Sequence, residues 1–141
     1  MKKYILFVIL IMIVLVFALN RGETVTLHQS VEEVVKVDFM RTHNYDERMI
    51  YTLAEEEIPD CMESVLKLPI KKSWSPEQPG GHYIIQITYA DGSVESLGNW
   101  SVSYLSGGEL EHDGWYYVPK DDLYALISQY VAAEKLAELP Q

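Results

Sequence analysis

Residues 82–100 read HYIIQITYADGSVESLGNW. Two runs of alternating apolar and polar residues flank Asp91-Gly92, and a period of two marks a half-buried strand. Asp-Gly is a dipeptide whose backbone suits a two-residue hairpin turn. Such a turn places Tyr83, Ile85, Ile87 and Tyr89 opposite Trp100, Gly98, Ser96 and Val94. Small residues then oppose both isoleucines and leave a shallow groove for a helix. The other face carries Ile84, Gln86 and Thr88 with Leu97, Glu95 and Asn99, a partly wet surface.

Downstream, Ser101–Leu105 reads as a further strand, Gly107-Gly108 as a turn region and Gly114–Val118 as another strand. Pro119 opens a helix with Asp121 and Asp122 in its first turn, where proline and acids are favoured. Its apolar stripe is Leu123, Leu126, Ile127, Tyr130 and Val131, extended by Ala137. Upstream, Thr24–His28, Glu33–Arg41 and Arg48–Leu53 alternate as strands. Ile58, Met62, Val65 and Leu66 recur at helical spacing until Pro69. Thr52 and Glu55 have capping-box spacing, and Leu68–Gly81, with three prolines and Gly80-Gly81, reads as a loop. The expected fold is α+β: a mostly antiparallel sheet with two helices packed on one face.

Ahead of this domain, Tyr4–Leu19 is an unbroken apolar run, preceded by Lys2 and Lys3 and followed by Arg21. Sixteen helical residues rise about 24 Å, short of a hydrocarbon core of about 30 Å. Lys3 and Asn20, with polar ends that reach the interface, bring the segment near the spanning minimum. The positive-inside bias puts the N-terminus in the cytoplasm and residues 22–141 outside. The expectation is a plasma-membrane protein anchored through residues 4–19. The alternative is a secreted protein, cut near Ala18, with Val16 and Ala18 as the small residues at the cleavage site. The chain thus divides into a membrane or signal segment, 1–21, and one exported domain, 22–141.

The whole chain carries −10 at neutral pH. Residues 1–21 hold three basic and no acidic residues, so the exported part keeps 8 basic and 21 acidic residues, a charge of −13. A domain so charged repels phosphate backbones and anionic headgroups, which argues against nucleic-acid partners and against adhesion to lipid through the domain itself. One cysteine, Cys61, rules out an internal disulfide and a cysteine zinc set. A lone thiol beside Met62 and Ile58 reads as a buried apolar group rather than a nucleophile. Gly-x-Ser-x-Gly and phosphate-cradling glycine motifs are absent, and no cofactor is expected. Asn99-Trp100-Ser101 matches the glycosylation sequon by chance.

Two groups of residues are candidates for binding. Seven of the sixteen aromatic residues fall within 82–118. Of these, Trp100, Tyr104, Trp115 and Tyr116 could form a platform for sugars, peptides or envelope polymers, since rigid rings supply large contact area. The plainer reading is that they pack the sheet. Glu109, Glu111 and Asp113, beside Gly107-Gly108, are an oxygen-rich candidate set for a divalent cation, with a solvated acidic hairpin tip as the alternative.

The initial Met-Lys-Lys with its apolar segment, the Tyr89-Ala-Asp-Gly-Ser hairpin and the Tyr116-Tyr-Val-Pro junction together resemble small exported or membrane-anchored proteins of Gram-positive bacteria. That resemblance implies location and brings no catalytic or binding residue with it. The expected function is a non-enzymatic interaction or sensing domain tethered to the plasma membrane, with an envelope protein or polymer as partner. An envelope-polymer hydrolase is one alternative. An inhibitor or immunity protein that binds one protein partner is the other.

Overall fold

The computed structural model describes residues 1–19, 23–43, 46–72, 82–113 and 116–132. After helix α1 (Lys2–Leu19) come strands β1 (Glu23–Thr24), β2 (Val34–His43) and β3 (Asp46–Thr52), then helix α2 (Ile58–Val65). Strands β4 (Pro69–Lys72), β5 (His82–Tyr89), β6 (Val94–Gly98), β7 (Val102–Ser106), β8 (Glu109–Asp113) and β9 (Tyr116–Tyr117) follow, and helix α3 (Lys120–Ile127) comes last. Six strands form one antiparallel sheet in the order β3-β2-β5-β6-β7-β8, and β1-β4-β9 form a small second sheet. The class is α+β.

The hairpin register differs from expectation by one residue. Ile85 pairs with Leu97 and Ile87 with Glu95. The connection is a three-residue loop, Ala90-Asp91-Gly92, closed by the Tyr89 N–H to the Ser93 carbonyl (2.9 Å) and the Gly92 N–H to the Tyr89 carbonyl (2.9 Å). Gly92 takes the left-handed conformation, φ 85°, at the closing position where a three-residue hairpin loop needs it. Asp91 prefers another role: its carboxylate accepts the Ser93 N–H at 2.9 Å and the Ser93 hydroxyl at 2.5 Å. A side chain that caps the turn in this way suits a type I turn closed by a left-handed glycine. A Cβ at Gly92 meets no atom within 4 Å. Gly92→Ala should therefore cost only the left-handed backbone, about 1–2 kcal/mol in urea denaturation. A neutral result would contradict the loop geometry.

A one-residue slip exchanges the faces of a strand. Leu97 and Glu95 therefore join the face of Val37, Phe39, Ile85 and Ile87, and the groove of small residues does not exist. That face is covered by Ile58, Cys61, Met62 and Val65 of α2 and by Leu123, Leu126 and Ile127 of α3, all in one buried cluster. Tyr130 and Val131, past the end of α3, continue its stripe: the Tyr130 ring lies 5.7 Å from Phe39, and Val131 is buried.

Other local expectations are also corrected. Thr52 does not cap a helix: it ends β3, and its hydroxyl donates to the buried Asp38 at 2.5 Å. A 3-10 turn at Glu55–Glu57 leads into α2, with Glu57 as N-cap and Pro59 in the first turn. Within 68–81, Pro69–Lys72 is strand β4, paired with β1 and β9; residues 73–81 lie outside the described residues. Of Thr24–His28 only Thr24 lies in a strand, although Val25 is buried. Ala137 also lies outside the described residues.

Helix α1 keeps its apolar run bare. Every side chain from Tyr4 to Val16 is between 43% and 77% exposed. Among the described residues no helix is long and apolar enough to cross a membrane; the eighteen residues of α1 rise about 27 Å.

Candidate functional site

Beyond the helices, the inner face of the large sheet runs on to β6, β7 and β8, and there it turns polar. Register places Glu95, Tyr104 and Glu111 side by side on these three strands. Their neighbour is the connector between β1 and β2, which crosses the sheet at His28 and Gln29. The His28 ring lies flat on Tyr104, 4.1 Å between centroids at 2°. From there His28 Nδ1 is 2.8 Å from a Glu95 oxygen and Nε2 is 3.2 Å from a Glu111 oxygen. The fit follows from sheet geometry: outer strands of three are about 9.6 Å apart, a gap that one imidazole with a carboxylate on each side can bridge.

Glu95 is 3% exposed, unusual for a carboxylate. Its burial is tolerable because both oxygens are occupied. One accepts the His28 backbone N–H (3.0 Å) and the Tyr89 hydroxyl; the other faces His28 Nδ1. Burial, and then the bond to Glu95, push the Tyr89 hydroxyl well above its ordinary pKa, so it remains a donor. Beside His28, the Gln29 amide nitrogen reaches Asp91 (2.9 Å), Ser93 (2.6 Å) and the Tyr104 hydroxyl (2.9 Å). Burial by itself lowers the His28 pKa. The hydrogen bonds and charges of Glu95, then those of Glu111, outweigh it and leave the pKa raised.

These groups line one side of a cleft of about 490 Å³. Thr26 and Ile70 lie on its connector and β4 side, and Leu97 and Val102 form an apolar floor with Tyr104. A cleft of this size with a few convergent polar groups suits a small ligand or a single side chain. Nε2 of His28, which a general base would present to a nucleophile, is turned to Glu111.

The structure distributes the residues singled out in the sequence. Tyr104 is the base on which His28 rests. Trp100, 44% exposed, sits in the bend after β6, edge-on to His82 at 4.6 Å. Burial and then the Lys120 ammonium hold the His82 imidazole below its usual pKa. Tyr116, on β9, lies under the Lys72 ammonium at 5.5 Å. Trp115 is outside the described residues. Glu109, Glu111 and Asp113 lie in a strand rather than a turn tip, with alternation placing Glu109 and Glu111 on one face of β8. Among the described residues no group of three or more His, Cys, Asp or Glu side chains is arranged to hold a metal ion. The Asp113 side chain is not among those described.

Cys61, on the inner face of α2, belongs to the core and is fully buried. Burial pushes its thiol up to about 12 against a weaker opposing bond to Tyr130. The native chain should therefore resist thiol reagents at neutral pH and react once unfolded. Rapid labelling of the folded protein would contradict its placement.

Residue order alone does not join His28 to Glu95, which lies 67 positions away and which a two-residue turn puts on the outer face. The usable signal was Gly92: as the last residue of a three-residue loop it turns Glu95 inward. No family model, curated protein or solved structure matches this chain.

Proposed function

We propose that this chain is a membrane-tethered interaction or sensing domain of the cell envelope, with α1 as its anchor and the Glu95–Tyr104–Glu111 cleft as its ligand site. The observation that carries the reading is the bare helix: apolar side chains from Tyr4 to Val16, uncovered by the rest of the described protein. Leaving such a surface in water is unfavourable by about 25 cal/mol per Å², and a bilayer removes that cost. Lys2 and Lys3 favour a cytoplasmic N-terminus; α1 by itself falls short of a span, so a crossing that puts the acidic domain outside also draws on Lys3, whose polar end reaches the interface. A cleft with an apolar floor and carboxylates at one side suits an amphipathic ligand with a donor or cationic head, and the domain's charge of −13 favours such partners.

The test is to express the full chain in a bacterium, separate membranes from soluble material and measure the intact mass of each fraction. A retained anchor gives the uncut chain in membranes after high-salt and carbonate washing, digestible by protease added outside spheroplasts. A soluble form beginning near Leu19 replaces the tether with secretion. Uncut chain in the cytosol overturns both.

A further inference from the structure

In the connector between β1 and β2, beside the bonds of Gln29, stands one imidazole whose two nitrogens meet two very different carboxylates. Glu95 is 4% exposed in its side chain and held by the Tyr89 hydroxyl and the His28 backbone N–H. Glu111 is 74% exposed and stands on the edge strand β8. We propose that His28 is a proton-operated clasp on the cleft: as imidazolium it bridges Glu95 and Glu111 and ties β8 to the connector, and as neutral imidazole it keeps Glu95 and releases Glu111.

The asymmetry follows from hydrogen-bond inventory. Imidazolium donates from both nitrogens, whereas the neutral ring has one N–H and one lone pair. The remaining proton stays on Nδ1, where the buried Glu95 would otherwise lose a donor it cannot replace with water. Nε2 then turns a lone pair toward the Glu111 carboxylate, acceptor against acceptor at 3.2 Å. Glu111, free to reach solvent, moves away. The charged and titratable groups facing the ring among the described side chains are Glu95 from β6, Tyr104 from β7 and Glu111 from β8, with Glu109 two residues from Glu111 on the same strand. Thr26 and Ile70, across the cleft, are uncharged. The carboxylates on this side thus favour the imidazolium, consistent with a raised pKa. The sign is fixed: the clasp's contribution to stability is full below the unfolded-state pKa of His28 and is lost as pH rises through the folded one. His82, with its lowered pKa, contributes in the opposite sense, so a bulk melting curve would mix the two. That opening admits a ligand rests on the cleft being the binding site; the clasp itself does not.

The experiment is nitrogen NMR of ¹⁵N-histidine in the full chain in detergent micelles, titrated from about pH 5 to 8.5, with amide exchange followed over the same range. The expected results are a His28 pKa above the ordinary 6.5, a neutral form protonated on Nδ1, and faster exchange at residues 109–113 once His28 is neutral. Glu111→Gln should lower the His28 pKa and remove the pH dependence of that exchange. A wild-type His28 that titrates at or below 6.5, or is protonated on Nε2 when neutral, overturns the clasp. So does exchange at 109–113 indifferent to protonation, or a pKa unmoved by Glu111→Gln. None of these readings depends on ligand binding or on where the chain resides.

Discussion

Phe39→Ala is expected to lower the unfolding free energy by about 4 kcal/mol, a large share of the margin of about 5–15 kcal/mol that a domain possesses. Phe39 is fully buried at the centre of β2, with ring neighbours on both sides: Tyr51 at 6.4 Å from β3 and Tyr130 at 5.7 Å from beyond α3. Truncation removes the aromatic surface and leaves a cavity that sheet and helices cannot jointly collapse. Val35 on the same strand is 55% exposed, next to the irregularity between Val34 and Lys36. Val35→Ala should stay within about 0.5 kcal/mol. Urea midpoints of the two variants decide the matter, and equal losses would contradict the assigned inner face of β2.

Glu95→Ala should cost about 3–5 kcal/mol, the usual penalty for removing one member of a buried polar network. It leaves the Tyr89 hydroxyl and the His28 backbone N–H without their acceptor and loosens the connector at His28. Glu111→Ala, at a side chain 74% exposed, should cost no more than about 1 kcal/mol. Glu95→Gln should fall between, because its oxygen still accepts from Tyr89 while its amide N–H groups oppose the Nδ1–H of His28. The same denaturation series ranks all three. If Glu95 and Glu111 prove interchangeable, Glu95 is not buried.

What could be read from residues alone were the elements whose cues agree with one another. Pro119, Asp121, Asp122 and the Leu123–Val131 stripe all indicate a helix, and α3 is there. Gly107 and Gly108 indicate a tight turn, and both have positive φ. Strand β4 escaped because Pro69 and the glycines beyond it resemble a loop; its pairing with the distant β1 and β9 is a tertiary matter. The hairpin register escaped for a subtler reason. Asp91-Gly92 suits two turn types, and the choice between them was made by the Asp91 carboxylate, which bonds Ser93 in its own loop and Gln29 of the connector. That choice moved Glu95 to the inner face and created the site, whereas an acid on an otherwise apolar face reads from sequence as a residue that must point to solvent.

The account therefore turns on one residue of register, and proton–proton contacts across the hairpin report it directly. Tyr89 and Ser93 share a backbone hydrogen bond, so alternation along the ladder makes Thr88–Val94 and Gln86–Ser96 the non-hydrogen-bonded pairs. The Cα atoms of such pairs are only about 4.5 Å apart. Strong Hα–Hα cross-peaks between Gln86 and Ser96 and between Thr88 and Val94 are the predicted result, and they place Glu95 beneath His28. Cross-peaks that instead pair Ile87 with Ser96, or Ile85 with Gly98, would put Glu95 on the outer face and dismantle the cleft as described.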